Sequence, residues 1–495
     1  MRWRESFARK GVRVYGSVCV LGAAASAAVI GFVSCGGSST TMGPQTGSMT
    51  VTLTDPPSCK FPNGAFDHVY VSIRSVQAHT SATADDNSAG WQELAPQLTS
   101  APMQIDLFSA ASNTCLLTQL GSNGALPAGT YQQIRLLLVP NDGSGGATPS
   151  TNACGSNGFN CVVQHDGTVS ELQLSSQANT GIKIPPGQVL GGPITVSAGQ
   201  DVDLNIDFNA CASIVREGNG AYRLKPVLTA GQVSTNTSGI SGTIVDAGTS
   251  APVVGGTVLV ALEKKDTTGV DAIFMETTAD AAGKFNFCPL PGGATFDVVA
   301  TAINGAGVAY NATVVLSVPG GTNVGNIPLQ AETGVATGPA TLKGNVTAVN
   351  SGSAGTIDVA VTAQQTVTVS GGGTLMVAVP ALPGSASNVS VDSTSASTCT
   401  AIGAAGANCA GYTLLVPASN PEVGVFSGGT VTFTPPVGGN VAYAARVDAF
   451  EPGGGGTPAC SPSTQTTNLN ATSAPLVVTG GATTQVQEVD FTGCS

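Results

Sequence analysis

Residues 47–56 read GSMTVTLTDP. Met49, Val51 and Leu53 alternate with Thr50, Thr52 and Thr54, and a period of two is that of a strand with one face buried. Outward from this stretch, further strand candidates fall at 69–76, 104–108, 131–139, 171–174, 182–184, 194–196, 202–208 and 222–228. Nine strands in about 185 residues point to a sandwich or barrel. Composition points the same way: 42% of the chain is apolar, only 9% is Asp, Glu, Lys or Arg, and there are 65 Gly and 29 Pro. Long amphipathic helices need charged outer faces, which this chain cannot supply, whereas Thr, Ser and Asn with Gly and Pro suit strands and turns. The fold class expected is all-β. At 495 residues the chain is too long for one ordinary core.

A set of segments comes in order around that first strand: Thr54-Asp55-Pro56, Phe66-Asp67-His68-Val69-Tyr70-Val71, Ile105-Asp106-Leu107, Leu126-Pro127-Ala128-Gly129-Thr130-Tyr131, Gly181-Ile182-Lys183, Asp207-Phe208 and Gly220-Ala221-Tyr222-Arg223-Leu224-Lys225-Pro226. Together they resemble the bacterial lipoprotein family called domain of unknown function 4382, over about residues 48–234. Its tail, 220–226, is the most specific part. The resemblance implies export and β structure, and it implies no activity.

Residues 231–239, GQVSTNTSG, read as a linker. Beyond it, Thr277-Thr278-Ala279-Asp280-Ala281-Ala282-Gly283-Lys284-Phe285-Asn286-Phe287 and Leu290-Pro291-Gly292-Gly293 place a turn at 280–283 and two core phenylalanines on alternate positions. This segment, 238–330, is similar to the carboxypeptidase regulatory-like domain, a small sandwich of the transthyretin and carbohydrate-binding-like group, some relatives of which bind sugars. After a second linker at 331–340, residues 341–495 carry the pattern of another sandwich, with no family resemblance.

The first 35 residues decide where all this works. Arg2, Arg4, Arg9, Lys10 and Arg13 precede an uncharged run from Val14 to Ser34, and Phe32-Val33-Ser34-Cys35 closes it. That order reads as an export signal. Its end resembles the lipobox of bacterial lipoproteins, which implies a signal peptide over 1–34, lipid on Cys35 and a flexible tether over 35–47. A lipid chain would hold the protein on a membrane by buried methylenes, each worth about 0.8 kcal/mol. The expected address is the bacterial cell envelope, at the outer membrane. Of 17 basic and 29 acidic residues, the leader takes five and Glu5, leaving 12 against 28 and a net charge of −16. That balance opposes nucleic-acid binding.

Setting Cys19 and Cys35 aside leaves ten cysteines, an even number that favours disulfides in an exported chain. Order along the chain suggests Cys154 with Cys161, Cys399 with Cys409 and Cys460 with Cys494, while Cys59, Cys115, Cys211 and Cys288 can pair in three ways. No C-x-x-C occurs.

Asp201, Asp203, Asn205 and Asp207 share one strand face, opposite Val202, Leu204, Ile206 and Phe208. Oxygen ligands at this spacing invite a calcium reading. The EF-hand loop that begins this way needs Gly at its sixth position and Glu at its twelfth, which here are Ile206 and Ala212. An extended strand also sets such side chains about 7 Å apart. The stripe is therefore read as a solvated face, and no metal or other cofactor is expected. His68, His79 and His165 are the three imidazoles; His68 and His79 make a poor zinc pair, and His165-Asp166 is the one feature that a hydrolase reading could use. No G-x-S-x-G, H-E-x-x-H or phosphate-binding loop motif is present. Trp91, Tyr131, Tyr222, Tyr310, Tyr412 and Tyr443 are the aromatics considered for stacking on sugars, with a place in the core as the plainer role.

The function expected is that of a non-catalytic, lipid-anchored envelope protein displaying tandem β-sandwich modules for binding or adhesion to a glycan or an envelope protein. The alternatives are a carbohydrate-binding lipoprotein of polysaccharide uptake and, third, a secreted hydrolase.

Overall fold

The structure, a computed structural model, describes residues 45–54, 66–110, 118–174, 180–184, 189–190, 192–217, 219–225, 227–233, 239–266, 269–288, 290, 293–333, 337–369, 372–400, 403–436, 438–451 and 459–494. The leader and Cys35 lie outside them. Among the described residues the protein is all-β. The α-helical pieces Leu107–Ala110 and Ala210–Ser213 are single turns, and among the described residues no helix is long and apolar enough to cross a membrane.

The strand Thr46–Thr54 carries the alternation read from its sequence: Met49, Val51 and Leu53 are fully buried. It lies parallel to Asp201–Phe208 and antiparallel to Thr118–Pro127 in a five-stranded sheet. Opposite stands a sheet built on Phe66–His79, which pairs with Met103–Asp106, Gln133–Leu138 and Cys161–Gln164. One apolar core fills the space between them. Three expectations are corrected here. Phe108 sits in a helical turn rather than a strand. Residues 222–228 are two strands, Tyr222–Leu224 and the start of Leu228–Val233, because the chain leaves one sheet for the other between them. Residues 231–233, read as linker, pair with Asp203, Leu204 and Asn205.

A second core belongs to residues 240–329, where Lys284–Phe287, Ile240–Asp246 and Thr322–Leu329 face the sheet of Thr257–Lys265 and its neighbours. Phe285 and Phe287 both point inward. The turn at 280–283 is held by the Asp280 carboxylate, which accepts from the Ala282 and Lys284 amides at 2.9 and 2.8 Å. Gly283 there has φ +75°, and a Cβ would meet the Ile244 carbonyl oxygen at 2.3 Å, so only glycine fits.

The third core, residues 340–494, is organised around Ala340–Asn350, antiparallel to Asn408–Val416 and parallel to Thr483–Gln485 and Val489–Thr492. It shares two sheets with the earlier segments. Arg216 pairs with Val389, so one 14-stranded sheet runs from the first segment through Asn388–Val391, Ile357–Val369 and Ala444–Phe450. Thr313–Pro319 pairs in parallel with Glu422–Ser427. Its near-continuous apolar run is explained by that position: Val315 and Val318 face the second core while Val314 and Leu316 face the third. Residues 44–495 form one compact unit.

Disulfides join Cys154 to Cys161, Cys399 to Cys409 and Cys460 to Cys494, and Cys288 is also disulfide-bonded. Cys59, Cys115 and the side chain of Cys211 lie outside the described residues. The Cys460–Cys494 bond spans 34 residues and pins the strand Val489–Thr492. Loop-closure entropy gives such a bridge about 4 kcal/mol. Cys494→Ser is therefore expected to lower the urea midpoint, and an unchanged midpoint would show that Val489–Thr492 is held by its strand pairing alone.

Candidate functional site

The acidic stripe lies between strands rather than on an open face. Because Thr46–Thr54 and Asp201–Phe208 run parallel in register, Ser48, Thr50, Thr52 and Thr54 stand beside Asp201, Asp203, Asn205 and Asp207. Asp201 and Asp203 are exposed, and Ser48 donates to Asp201. Asn205 and Asp207 are buried, which corrects the solvated reading for that half. The Thr52 hydroxyl donates to Asn205 Oδ1 at 3.1 Å, the Asn205 amide donates to Thr54 Oγ1 at 3.0 Å, and Thr54 donates to Asp207 Oδ1 at 3.2 Å. One oxygen each of Asp201, Asn205 and Asp207 is thus engaged with a hydroxyl partner. Burial pushes the Asp207 carboxyl up to about 7, with Thr54 pulling the other way. Among the described residues no group of His, Cys, Asp and Glu is gathered as a metal site.

The imidazoles are dispersed. His68 Nδ1 lies 2.8 Å from Asp106 and its ring stacks on Tyr70; His165 Nδ1 lies 3.2 Å from Asp67; His79 Nε2 lies 3.0 Å from the Ala89 carbonyl. His68 and His79 are eleven positions apart on one strand, about 36 Å if fully extended, too far to share an ion. His165 turns to Asp67, while Asp166 accepts from the Thr168 amide at 2.9 Å. Trp91 lies 5.1 Å from the His79 ring and 4.1 Å beneath the Arg135 guanidinium. Tyr131, Tyr222, Tyr310, Tyr412 and Tyr443 are buried. Five of the six aromatics considered for sugar stacking thus belong to the cores.

Charge is concentrated instead where the three segments meet. Tyr222 and Leu224 point into the first core, so Arg223, between them, leaves the strand on the other face, toward the third segment. There its guanidinium forks onto Asp358: Nη1 donates to Oδ2 at 2.6 Å and Nη2 to Oδ1. Nε donates to Glu217 at 2.8 Å and Nη2 also to the Ser390 hydroxyl at 2.9 Å. Asp358 is fully buried and Arg223 is 9% exposed. Burial disfavours the Arg223 charge, but Asp358 and then Glu217 outweigh it and raise its pKa. Lys225, 1% exposed, donates to Asn388 Oδ1 at 3.3 Å, and its ammonium sits 4.8 Å over the Phe450 ring. Burial pushes this amine down to about 8, against the fields of Asp358 and Asp448. Arg446 completes the seam, holding Asp448 at 3.0 Å and Asp266 of the middle segment.

A second buried group lies where the middle segment meets Gly373–Val379. Glu263 and Asp297 are neighbours across two strands, and Asp271 stands beside Lys265 in the next register. Glu263 is fully buried and accepts from the Ala378 amide at 3.1 Å. Burial, then the Asp271 charge, hold Glu263 well above the usual carboxylate range; burial and Asp297 push Asp271 to about 7.

In the sequence Arg223 and Lys225 stand out only as letters of a motif, and Asp358, Asn388 and Glu263 do not stand out at all. The available signal was scarcity: in a chain with 9% charged residues, a charge flanked by apolar neighbours on alternate positions faces something specific.

Residues 46–226 match the model of a family described as a domain of unknown function, DUF4382. No curated protein matches the chain. Solved structures similar to it include the shaft pilin SpaA from Lactobacillus rhamnosus GG, at 11% identity over 59% of this chain and 99% of that one, with a TM-score of 0.18. Another is GBS52, the minor pilin of Streptococcus agalactiae, at 12% identity over 59% and 98%, with a TM-score of 0.15. A DUF3823 family protein from Bacteroides uniformis matches at 10% identity over 46% and 95%, with a TM-score of 0.14. At such scores none of them informs the arrangement of these sheets or their role.

Proposed function

We propose that this is a non-catalytic protein of the bacterial cell envelope, anchored by lipid on Cys35, whose β-rich body is displayed for binding or adhesion to an envelope protein or a glycan. The observation that carries the reading is the use of cysteine: three disulfides join described residues and Cys288 is bonded as well, which suits an oxidising compartment. The handling of charge supports it, since Arg223, Asp358, Lys225 and Arg446 are engaged with one another's segments across the seam. A body welded in this way resists pulling and proteolysis, properties that a displayed protein needs. On this reading residues 238–330 are the carboxypeptidase regulatory-like sandwich, used as a rigid spacer.

Two measurements test the proposal. Radiolabelled palmitate is expected in the wild-type protein and absent from Cys35→Ala, which should leave the membrane fraction. The soluble 36–495 fragment, applied to a glycan array and to whole cells stripped of the native protein, is expected to bind one of them saturably. Silence on both surfaces, or wild-type protein recovered from the cytoplasm with free thiols, would overturn the reading.

A further inference from the structure

The contact between Lys225, which is 1% exposed, and the half-buried Asn388 joins residues 163 positions apart. A lysine amine buried to 1% exposure with a carboxamide as its hydrogen-bonding partner is an unusual choice if cohesion is the whole purpose. Arg223, two residues earlier, shows what cohesion looks like here, with a full carboxylate fork. Lys225 meets an electrophile instead.

The register fixes what surrounds it. Asn388 pairs with Ala360, and Ala360 with Asp448; Ser390 pairs with Asp358, and Asp358 with Phe450. Asn388, Ser390, Asp358, Asp448 and Phe450 therefore share one face of three adjacent strands, and Lys225 is laid on that face with its amine at Asn388 and over the Phe450 ring. Asp358, fully buried, is diagonal to Asn388 and acts on the Lys225 amine through its field, as does Asp448.

We propose that Lys225 and Asn388 form an intramolecular amide cross-link, covalently tying the first segment to the last. The Nζ lone pair attacks Cγ of Asn388 and a C–N bond forms. The Cγ–Nδ2 bond breaks, and Nδ2 leaves as ammonia with the proton that Nζ gives up. The proton passes from Nζ to Nδ2 within the tetrahedral adduct, in the field of Asp358. No oxidant or further reactant is consumed. The 3.3 Å from Nζ to Oδ1 sets the amine against the carboxamide, one bond from the Cγ it attacks, and a productive approach to that carbon needs about 3–3.5 Å. Attack requires the unprotonated amine, and burial supplies it by lowering the Lys225 pKa to about 8.

The full chain, purified from the envelope and reduced, is expected to weigh less than its sequence by one ammonia beyond the changes due to export. Asn-Gly pairs such as Asn123-Gly124 and Asn304-Gly305 can also lose ammonia by cyclising, so the decisive reading is a tryptic map. It should contain one branched species joining residues 224–264 to 344–446 through Lys225 and Asn388. In Asn388→Ala the two peptides should appear separately. Recovery of both peptides unjoined and at full mass from folded wild-type protein would overturn the proposal, whatever the variant does.

Discussion

Asp358→Ala is expected to destabilise the protein by about 3–5 kcal/mol, measured as the shift in urea unfolding of the 36–495 fragment, because it leaves the Arg223 guanidinium buried with its fork unfilled. The size follows from burial at both ends, Asp358 fully buried and Arg223 9% exposed, together with the hydrogen bonds lost. Arg223→Met with Asp358→Leu should recover most of the loss, since a buried ion pair replaced by apolar side chains of similar volume is often neutral or better. The contrast between single and double variants is the test. If Asp358→Ala alone costs under about 1 kcal/mol, the pair behaves as an exposed bridge does and the seam is not dry. Both variants lack Asp358, so whatever part it plays in forming the amide between Lys225 and Asn388 is removed from both alike, and their difference stays in place.

How much of this was legible beforehand depended on whether the signal was local. The strand at 46–54 could be read because its alternation matches burial residue by residue. Strands 182–184 and 194–196 fall at the positions read for them, being short apolar pairs bounded by turn residues. The strand Thr118–Pro127, TQLGSNGALP, was invisible. It holds two glycines, a serine and an asparagine, and it lies at the sheet edge, paired through its backbone with two shifts of register along Thr46–Thr54. Edge pairing of that kind asks little of side chains.

The buried half of the acidic stripe was hidden for a different reason. Asp201–Phe208 alternates as a surface strand would, but it sits between Thr46–Thr54 and Leu228–Val233, and only the parallel register brings Thr52 and Thr54 beside Asn205 and Asp207. A partner about 150 positions away leaves no mark on the local pattern. The same holds for Asp358 and Asn388, which lie in a segment without family resemblance and meet Arg223 and Lys225 only once the sheet is assembled. Turn chemistry, by contrast, is local: the Asp280 to Gly283 turn was readable because one carboxylate and one positive φ suffice to make it.

Acid should stabilise this protein. Burial pushes Asp207, Glu276 and Glu332 each to about 7, burial and Asp297 do the same for Asp271, and burial with Asp271 holds Glu263 well above the usual carboxylate range. A carboxyl whose pKa is raised on folding binds its proton more tightly in the folded state. Its contribution is complete below the unfolded value near 4 and is lost as pH rises through the folded value near 7. Exposed acids held low by hydrogen bonds, such as Asp85 by Ser88, Asp142 by Ser144 and Asp166 by Thr168, work in the opposite sense, but only as pH falls below about 4. The thermal midpoint of the 36–495 fragment should therefore peak at about pH 4–5 and fall toward pH 8. Asp207→Asn tests the cause. Its side-chain oxygen can still accept from Thr54, yet it cannot ionise, so at pH 8 it should relieve a penalty on the order of 4 kcal/mol and at pH 5 one of about 2 kcal/mol. Glu263→Gln, which keeps the acceptor for the Ala378 amide, should behave alike. If both variants shift stability equally at the two pH values, the effect is one of packing and the buried carboxyls do not set the pH dependence.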